Sequence, residues 1–204
     1  MFRTIRLMSW IGLVPAKAKD KFGHVTAVRS LAIQQQSEPM TLRIDPMLSV
    51  DWPAVCEIYL EGIASRQATF ETQAPSWEVW DASHSPFARL VAREAETVVG
   101  WVALSPVSAR QAYAGVAEIS VYVAQSKRGF GLGRHLLEAL ITASEENGIW
   151  SLQAVMFAEN AASIALHRRC GFRDVGRRER IAKLDGAWRD TLLLERRSRK
   201  IGVD

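Results

Sequence analysis

Cysteine is scarce in this 204-residue sequence: there are two, Cys56 and Cys170, in helix-like stretches far apart. Thiols placed like that suggest neither a disulfide framework nor a zinc site. Histidine is nearly as scarce. His24, His84, His135 and His167 lack metal-ligand spacing, so no metal cofactor is expected. No apolar run approaches the roughly eighteen residues of a membrane-spanning helix, and no membrane partner is expected. An excess of one charge is also missing from most of the chain. The formal charge of +4 comes from residues 1–39, which carry six basic and two acidic side chains, while the other 165 residues hold twenty of each. A nucleic-acid partner is therefore not expected. Within that neutral body the basic residues concentrate after residue 126, so a polyanionic ligand would prefer the second half.

What is present is a 48% apolar chain of one-domain length, enough for a single core. Residues 1–39 show no sustained period and read as a poorly ordered extension. Two sharper readings of that stretch stay open. Arg3 and Arg6, a short apolar run from Leu7 to Val14 and then Ala16-Lys17-Ala18 resemble a weak signal peptide, whereas Met40 opens the first folded pattern and suggests a start assigned too far upstream. A domain is expected over residues 40–197, with 198–204 as a tail.

From Thr41 the pattern becomes regular. Thr41 to Ile44 reads as a strand. Asp51-Trp52-Pro53 marks a helix start, with Asp51 as N-cap and Pro53 in the first turn. Val55, Ile58, Tyr59 and Ile63 then recur at helical spacing, placing that helix against a sheet. A short helix is expected around Ser76 to Ala82, and a hairpin from Arg89 to Leu104 turns at Glu94-Ala95-Glu96. Gly115 to Val123 alternates Glu118, Ser120 and Tyr122 with Ile119, Val121 and Val123, giving one functional and one apolar face. Leu132 to Ile141 keeps helical period until Asn147-Gly148. A strand from Trp150 to Phe157, a helix from Asn160 to Cys170 and strands at Phe172–Val175 and Trp188–Glu195 complete a mixed α/β order.

Between the alternating strand and the long helix lies Arg128-Gly129-Phe130-Gly131-Leu132-Gly133. A glycine cluster there leaves backbone N–H groups free to face an anion, and the helix dipole adds partial positive charge. A Walker loop is excluded because Gly133 is followed by Arg134 and His135. A dinucleotide fingerprint would follow the first strand of a parallel unit, but this loop follows a fourth. A plain tight turn is the remaining alternative on the loop's own terms.

Further segments accompany the loop: Ala68-Thr69-Phe70-Glu71-Thr72, Ala109-Arg110-Gln111-Ala112-Tyr113, Glu118 to Val123, Asn160-Ala161-Ala162-Ser163 and Leu166-His167-Arg168-Arg169-Cys170-Gly171-Phe172. Together with Arg128-x-x-Gly131-x-Gly133 they resemble the GNAT superfamily of N-acetyltransferases, and most closely its phosphinothricin N-acetyltransferase-like branch, from about Thr41 to Arg196. The resemblance implies the GNAT α/β fold, a mostly antiparallel, splayed sheet flanked by helices. Acetyl-CoA would enter between the fourth and fifth strands, and the chain would be a cytoplasmic enzyme conferring resistance to herbicidal or antibiotic amino acid analogues. Family members often dimerise, so a homodimer is an expectation.

Residue by residue, the resemblance places the general base at Glu118. Backbone groups of Val121, Tyr122 and Val123 would meet the pantetheine arm, and Arg128, Gly129, Phe130, Gly131, Leu132, Gly133 and Arg134 the pyrophosphate. Asn160, Ser163 and His167 recur at i, i+3 and i+7 on one helix face. The Asn position would contact the cofactor and His167 would lie near the reaction centre as acid, relay or structural group. Arg110, Phe70 and Thr72 would hold a small amino-acid-like amine such as phosphinothricin or methionine sulfoximine or sulfone. Cys170 lacks an evident base, which favours direct transfer in a ternary complex over an acetylated enzyme. The branch often carries Lys-Phe-Gly-Arg-Trp-x-Asp near its C-terminus, where this chain has Lys183-Leu184-Asp185-Gly186-Ala187-Trp188-Arg189-Asp190. Transfer to protein N-termini or lysines, and a non-catalytic acetyl-CoA-binding module, are the alternatives.

Overall fold

The computed structural model describes residues 42–203, and the expected N-terminal extension lies outside them. The described residues begin with β1 (Leu42–Pro46) and continue through α1 (Trp52–Ala64), α2 (Trp77–Ser83), β2 (Leu90–Glu94), β3 (Thr97–Pro106) and β4 (Val116–Val123). They end with α3 (Leu132–Glu146), β5 (Ser151–Phe157), α4 (Ala161–Arg169), β6 (Arg173–Leu184) and β7 (Ala187–Arg197). One seven-stranded sheet runs in the order β1-β2-β3-β4-β5-β7-β6. Every pairing is antiparallel except β4 with β5. Among the described residues no helix is long and apolar enough to cross a membrane.

The helices cover both faces of the sheet. Against one face, Leu136, Leu137 and Leu140 of α3 and Ile164 of α4 bury with Val102, Leu104, Ile119, Leu152 and Met156. Against the other, Val55 and Ile58 of α1 and Trp80 of α2 bury with Val91, Val98 and Trp101. The alternation in β4 thus resolves as expected, with Ile119 in the α3 core and Tyr122 facing α1. Gly62 lets α1 settle onto that face, because a Cβ there would stand 2.6 Å from the Tyr122 ring.

The start of α1 departs from its sequence reading. Asp51 is not a side-chain cap of α1: a 3-10 turn (Ser49–Asp51) runs straight into the helix, and Asp51 already has helical dihedrals. Its buried carboxylate accepts from the Leu48 N–H at 2.9 Å and from Arg93 Nη2 at 2.7 and 2.8 Å. A buried carboxylate within reach of a guanidinium gains more from that ion pair than from a neutral N–H.

β6 is longer than the expected Phe172–Val175 strand. Its fully exposed run from Arg173 to Ile181 carries no alternation to read, since it is an edge strand wet on both sides. The signal that marks it is Asp185-Gly186, where both residues have positive φ (49° and 80°), the two-residue turn that suits strand twist. Residues 198–203, expected as a tail, fold back. Ser198 is buried, its N–H donates to the Trp150 carbonyl, and its hydroxyl donates to Glu145 at 3.0 Å.

Candidate active site

β4 and β5 pair only through Val116–Glu118 and Ser151–Gln153. Beyond Glu118 the two strands part, and a cleft of about 1410 Å³ runs through the gap between Ile119–Val123 and Ala154–Phe157. Glu118 stands where the strands separate. The unpaired edge of β4 leaves backbone groups free along one wall, which is where an extended ligand arm could add as a strand would.

At one end of the cleft is the glycine loop. A 3-10 turn (Gln125–Lys127) separates it from β4, and Gly129 and Gly131 both adopt positive φ (86° and 83°), a conformation that side chains resist. Among the described residues the N–H groups of residues 129–133 donate to no protein acceptor, although Arg134 and His135 already donate to the Gly131 carbonyl. Five successive free N–H groups at the start of a fifteen-residue helix form an anion cradle. Gly133 is small for packing: a Cβ would approach Leu166 of α4 at 3.1 Å.

Side chains around the cradle differ from one another in what they offer. Arg128 Nε donates to the Val123 carbonyl at 3.1 Å, tying the loop back to the end of β4, and among the described residues its Nη groups meet no carboxylate. Arg134 pairs with Glu138 one turn along α3 at 2.7 Å, so its charge is shared locally. Phe130 is 82% exposed and lies off the cleft wall, and the Leu132 side chain is in the core, so each offers only its N–H.

The middle of the cleft holds the groups with chemistry. Burial pushes the Glu118 carboxyl above its ordinary value despite its opening to solvent, and Arg178 opposes the rise. His167 is 2% exposed. Its Nδ1 lies 2.7 Å from the Ser163 carbonyl, which can only accept, so Nδ1 carries the proton and Nε2 is left as an acceptor. Among the described residues Nε2 has no partner. Burial lowers the His167 pKa against the pull of that carbonyl, keeping the ring neutral at neutral pH. Asn160 caps α4 by accepting from the Ser163 N–H at 3.1 Å, and its amide donates to the Gln67 carbonyl at 2.9 Å. Both ends of Asn160 are thus committed to holding α4 against the segment after α1. Burial raises the Cys170 thiol pKa, and Glu138 adds to the rise, so the sulfur stays protonated.

The cleft is also lined by an aromatic wall that sequence reasoning overlooked. Tyr122 stacks on Trp101 at 4.7 Å, Tyr59 meets both edge-on, and Trp80 lies between Trp101 and a stacked His84. The seven tryptophans of the sequence were the available signal. Phe70 forms the opposite wall, edge-on to Phe157 at 4.7 Å. The structure does not bring Thr72 or Arg110 to the cleft. Both are exposed, and Arg110 lies over the Tyr113 ring in the loop before β4.

This geometry agrees with what the chain matches. The acetyltransferase (GNAT) family model covers residues 52–172. The chain belongs to the GNAT acetyltransferase family. The enzyme is 34% identical over 134 residues to the L-methionine sulfoximine/L-methionine sulfone acetyltransferase of Pseudomonas aeruginosa, covering 65% of this chain and 73% of that one. It superposes with a TM-score of 0.71 on a GNAT superfamily phosphinothricin acetyltransferase from Sinorhizobium meliloti in complex with acetyl-CoA, at 27% identity over 81% of this chain and 97% of the other. A ribosomal-protein-alanine N-acetyltransferase from Brucella melitensis matches at the same TM-score with 32% identity, covering 76% and 99%. The expected GNAT fold and its phosphinothricin N-acetyltransferase-like branch are thereby confirmed, and the chain is an acetyltransferase.

Proposed function

We propose that this acetyltransferase moves the acetyl group of acetyl-CoA directly to the amine of a small amino-acid-like acceptor within a ternary complex. The observation that carries the reading is the parting of β4 and β5 at Glu118, with backbone N–H groups suited to an anion at one end of the gap and the carboxylate where it opens. The residues suit the donor. The N–H groups of residues 129–133 and the Arg128 guanidinium would hold the pyrophosphate, and the free edge of β4 the pantetheine arm. When bound, acetyl-CoA supplies an activated thioester.

Glu118 takes a proton from the acceptor ammonium, directly or through water, and frees the nitrogen lone pair. The C–N bond then forms as the C–S bond breaks, and the departing sulfur needs a proton. His167 is neutral with Nε2 unprotonated, so it has no proton of its own to give there. Its part is a relay, accepting at Nε2 the second proton that the nitrogen sheds as the C–N bond forms and passing it to the sulfur. A protonated Cys170 supports direct transfer over an acetylated enzyme.

The amine is the finer question. Phe70, Phe157 and the aromatic wall line the cleft that Glu118 also lines, and the Pseudomonas relative, a methionine sulfoximine/methionine sulfone acetyltransferase, supports a small acceptor. Peptide N-termini are the competing acceptors, because the Brucella neighbour is comparably similar. Thiol release from acetyl-CoA, measured across methionine sulfone, methionine sulfoximine, phosphinothricin and an alanine-ended peptide, tests both. Turnover on the analogues alone supports the small-acceptor reading, and turnover on the peptide alone overturns it.

A further inference from the structure

The β6–β7 hairpin is rich in arginine, and three of the side chains near Arg178 are paired with carboxylates within the hairpin or beside it. Arg173 pairs with Glu195 and Arg177 with Asp190. Arg189 reaches Glu159 at 3.5 Å while lying 4.3 Å from the centre of the Phe157 ring. Arg180 sits in the bulge after Arg178, where Asp190 accepts its N–H. Among the described residues neither the Arg178 nor the Arg180 guanidinium has a carboxylate within ion-pair distance or a hydrogen bond, and of the two only Arg178 has a register partner on β7. Its guanidinium is a cation free to take a partner.

Strand register fixes the face on which it stands. Arg178 is opposite Thr191, and Thr191 is opposite Phe157. Directly opposed residues share a face. Phe157 is part of the cleft wall and meets Phe70 there, so the row leads from the cleft to the free guanidinium in two strand steps. Thr191, the middle member, lines the cleft and is 1% exposed, and among the described residues its hydroxyl has no partner. A buried hydroxyl left unpaired is costly unless something accepts from it. Glu118 stands on the same face and feels the positive charge of Arg178. A short amine whose nitrogen meets Glu118 would thus carry any acidic group toward Arg178.

We propose that Arg178, with the Thr191 hydroxyl beside it, receives an anionic group of the acceptor and makes the enzyme prefer amines that carry an oxyanion over otherwise identical neutral ones. The inference rests on the reading of Glu118 as the group facing the acceptor amine. It assigns to β6 the role that the sequence offered to Arg110, which lies over the Tyr113 ring in the loop before β4, whereas Arg178 is exposed next to the cleft-lining Thr191. Lysine would do the same work less well, since it lacks the planar fork that grips two oxygens.

The test compares L-methionine sulfone with its α-carboxamide as acceptors for wild type, Arg178→Ala, Arg178→Gln and Arg178→Lys. Wild type should favour the carboxylate by about tenfold or more in kcat/KM. Arg178→Ala and Arg178→Gln should erase that ratio through KM for the carboxylate, with the acetyl-CoA Kd unchanged, and Arg178→Lys should restore part of it. The ratio is the informative readout, because any change in Glu118 ionisation alters both acceptors alike. Two glutamine- and alanine-substituted proteins guard against a folding defect in either one. A wild-type enzyme that acetylates both acceptors equally, or variants that keep the wild-type ratio, would overturn the role of Arg178 while leaving acetyl transfer standing. Silence on both acceptors, with acetyl-CoA still bound, would overturn the small-acceptor reading and this inference with it.

Discussion

Glu118 and His167 face the same cleft, yet burial moves their pKa values in opposite directions. It raises the carboxyl of one and lowers the imidazole of the other, and each shift favours the neutral form. For Glu118 this has a kinetic consequence. A general base must be ionised, so turnover should climb with pH through an inflection that lies above the ordinary carboxyl value of 4.5. Glu118→Gln is expected to lower kcat about a hundredfold or more, to abolish that acid limb and to leave the acetyl-CoA Kd nearly unchanged. A pH profile of thiol release checks all three, and an unchanged kcat would remove Glu118 from the mechanism. For His167 the short hydrogen bond to the Ser163 carbonyl sets the tautomer. His167→Gln should therefore lower kcat more than it raises KM, as steady-state kinetics on both substrates will show.

At the scale of elements, glycines decide how closely segments approach. Gly131→Ala forces a side chain into positive φ at the mouth of α3, which costs roughly 1–2 kcal/mol and disturbs the anion cradle. Calorimetric titration with acetyl-CoA should give a higher Kd alongside a lower melting temperature. Gly62→Ala acts elsewhere, between α1 and Tyr122. Its Cβ would overlap the ring, and overpacking of this kind costs about 1–3 kcal/mol. Denaturant unfolding should show that loss even though Gly62 bears no chemistry. The splay of β4 from β5 is likewise an element-scale device, since three paired residues hold the strands together and everything beyond them is opened for a ligand.

Across the whole molecule, the far end of α3 is clasped by the C-terminal segment. Burial alone would raise the Glu145 carboxyl, but Arg196, Lys200 and Ser198 together bring it below its ordinary 4.5. Arg196 stands 3.1 Å away and Lys200 3.2 Å. A depressed folded-state pKa means the carboxylate stabilises the fold fully above the unfolded value and loses that contribution as pH falls through the folded one. Glu145→Ala leaves Arg196 and Ser198 without their partner and should cost about 3 kcal/mol. The deficit, measured by urea unfolding, should be present at pH 7 and shrink below about pH 4. Deleting residues 198–204 should produce part of the same loss, which a dispensable tail would not.

The sequence by itself determined the order of elements, the glycine loop and the family, because these depend on local period, glycine chemistry and contiguous motifs. Gly131 needs positive φ whatever surrounds it, and the alternation of β4 places Glu118 and Tyr122 on one face before any packing is known. Tertiary structure decided what depends on partners distant in the chain. Asp51 turns from a helix cap into the partner of Arg93, forty-two residues on. Asn160 spends its amide on Gln67, ninety-three residues back. The aromatic wall is assembled from α1, α2, β3 and β4, no two of which announce it alone. Arg178 shows the difference most plainly, since one arginine among many in an exposed strand gains meaning only when register sets it across Thr191 from Phe157. Local propensity can be read along a chain, whereas the free energy of a charge depends on the groups that folding brings beside it.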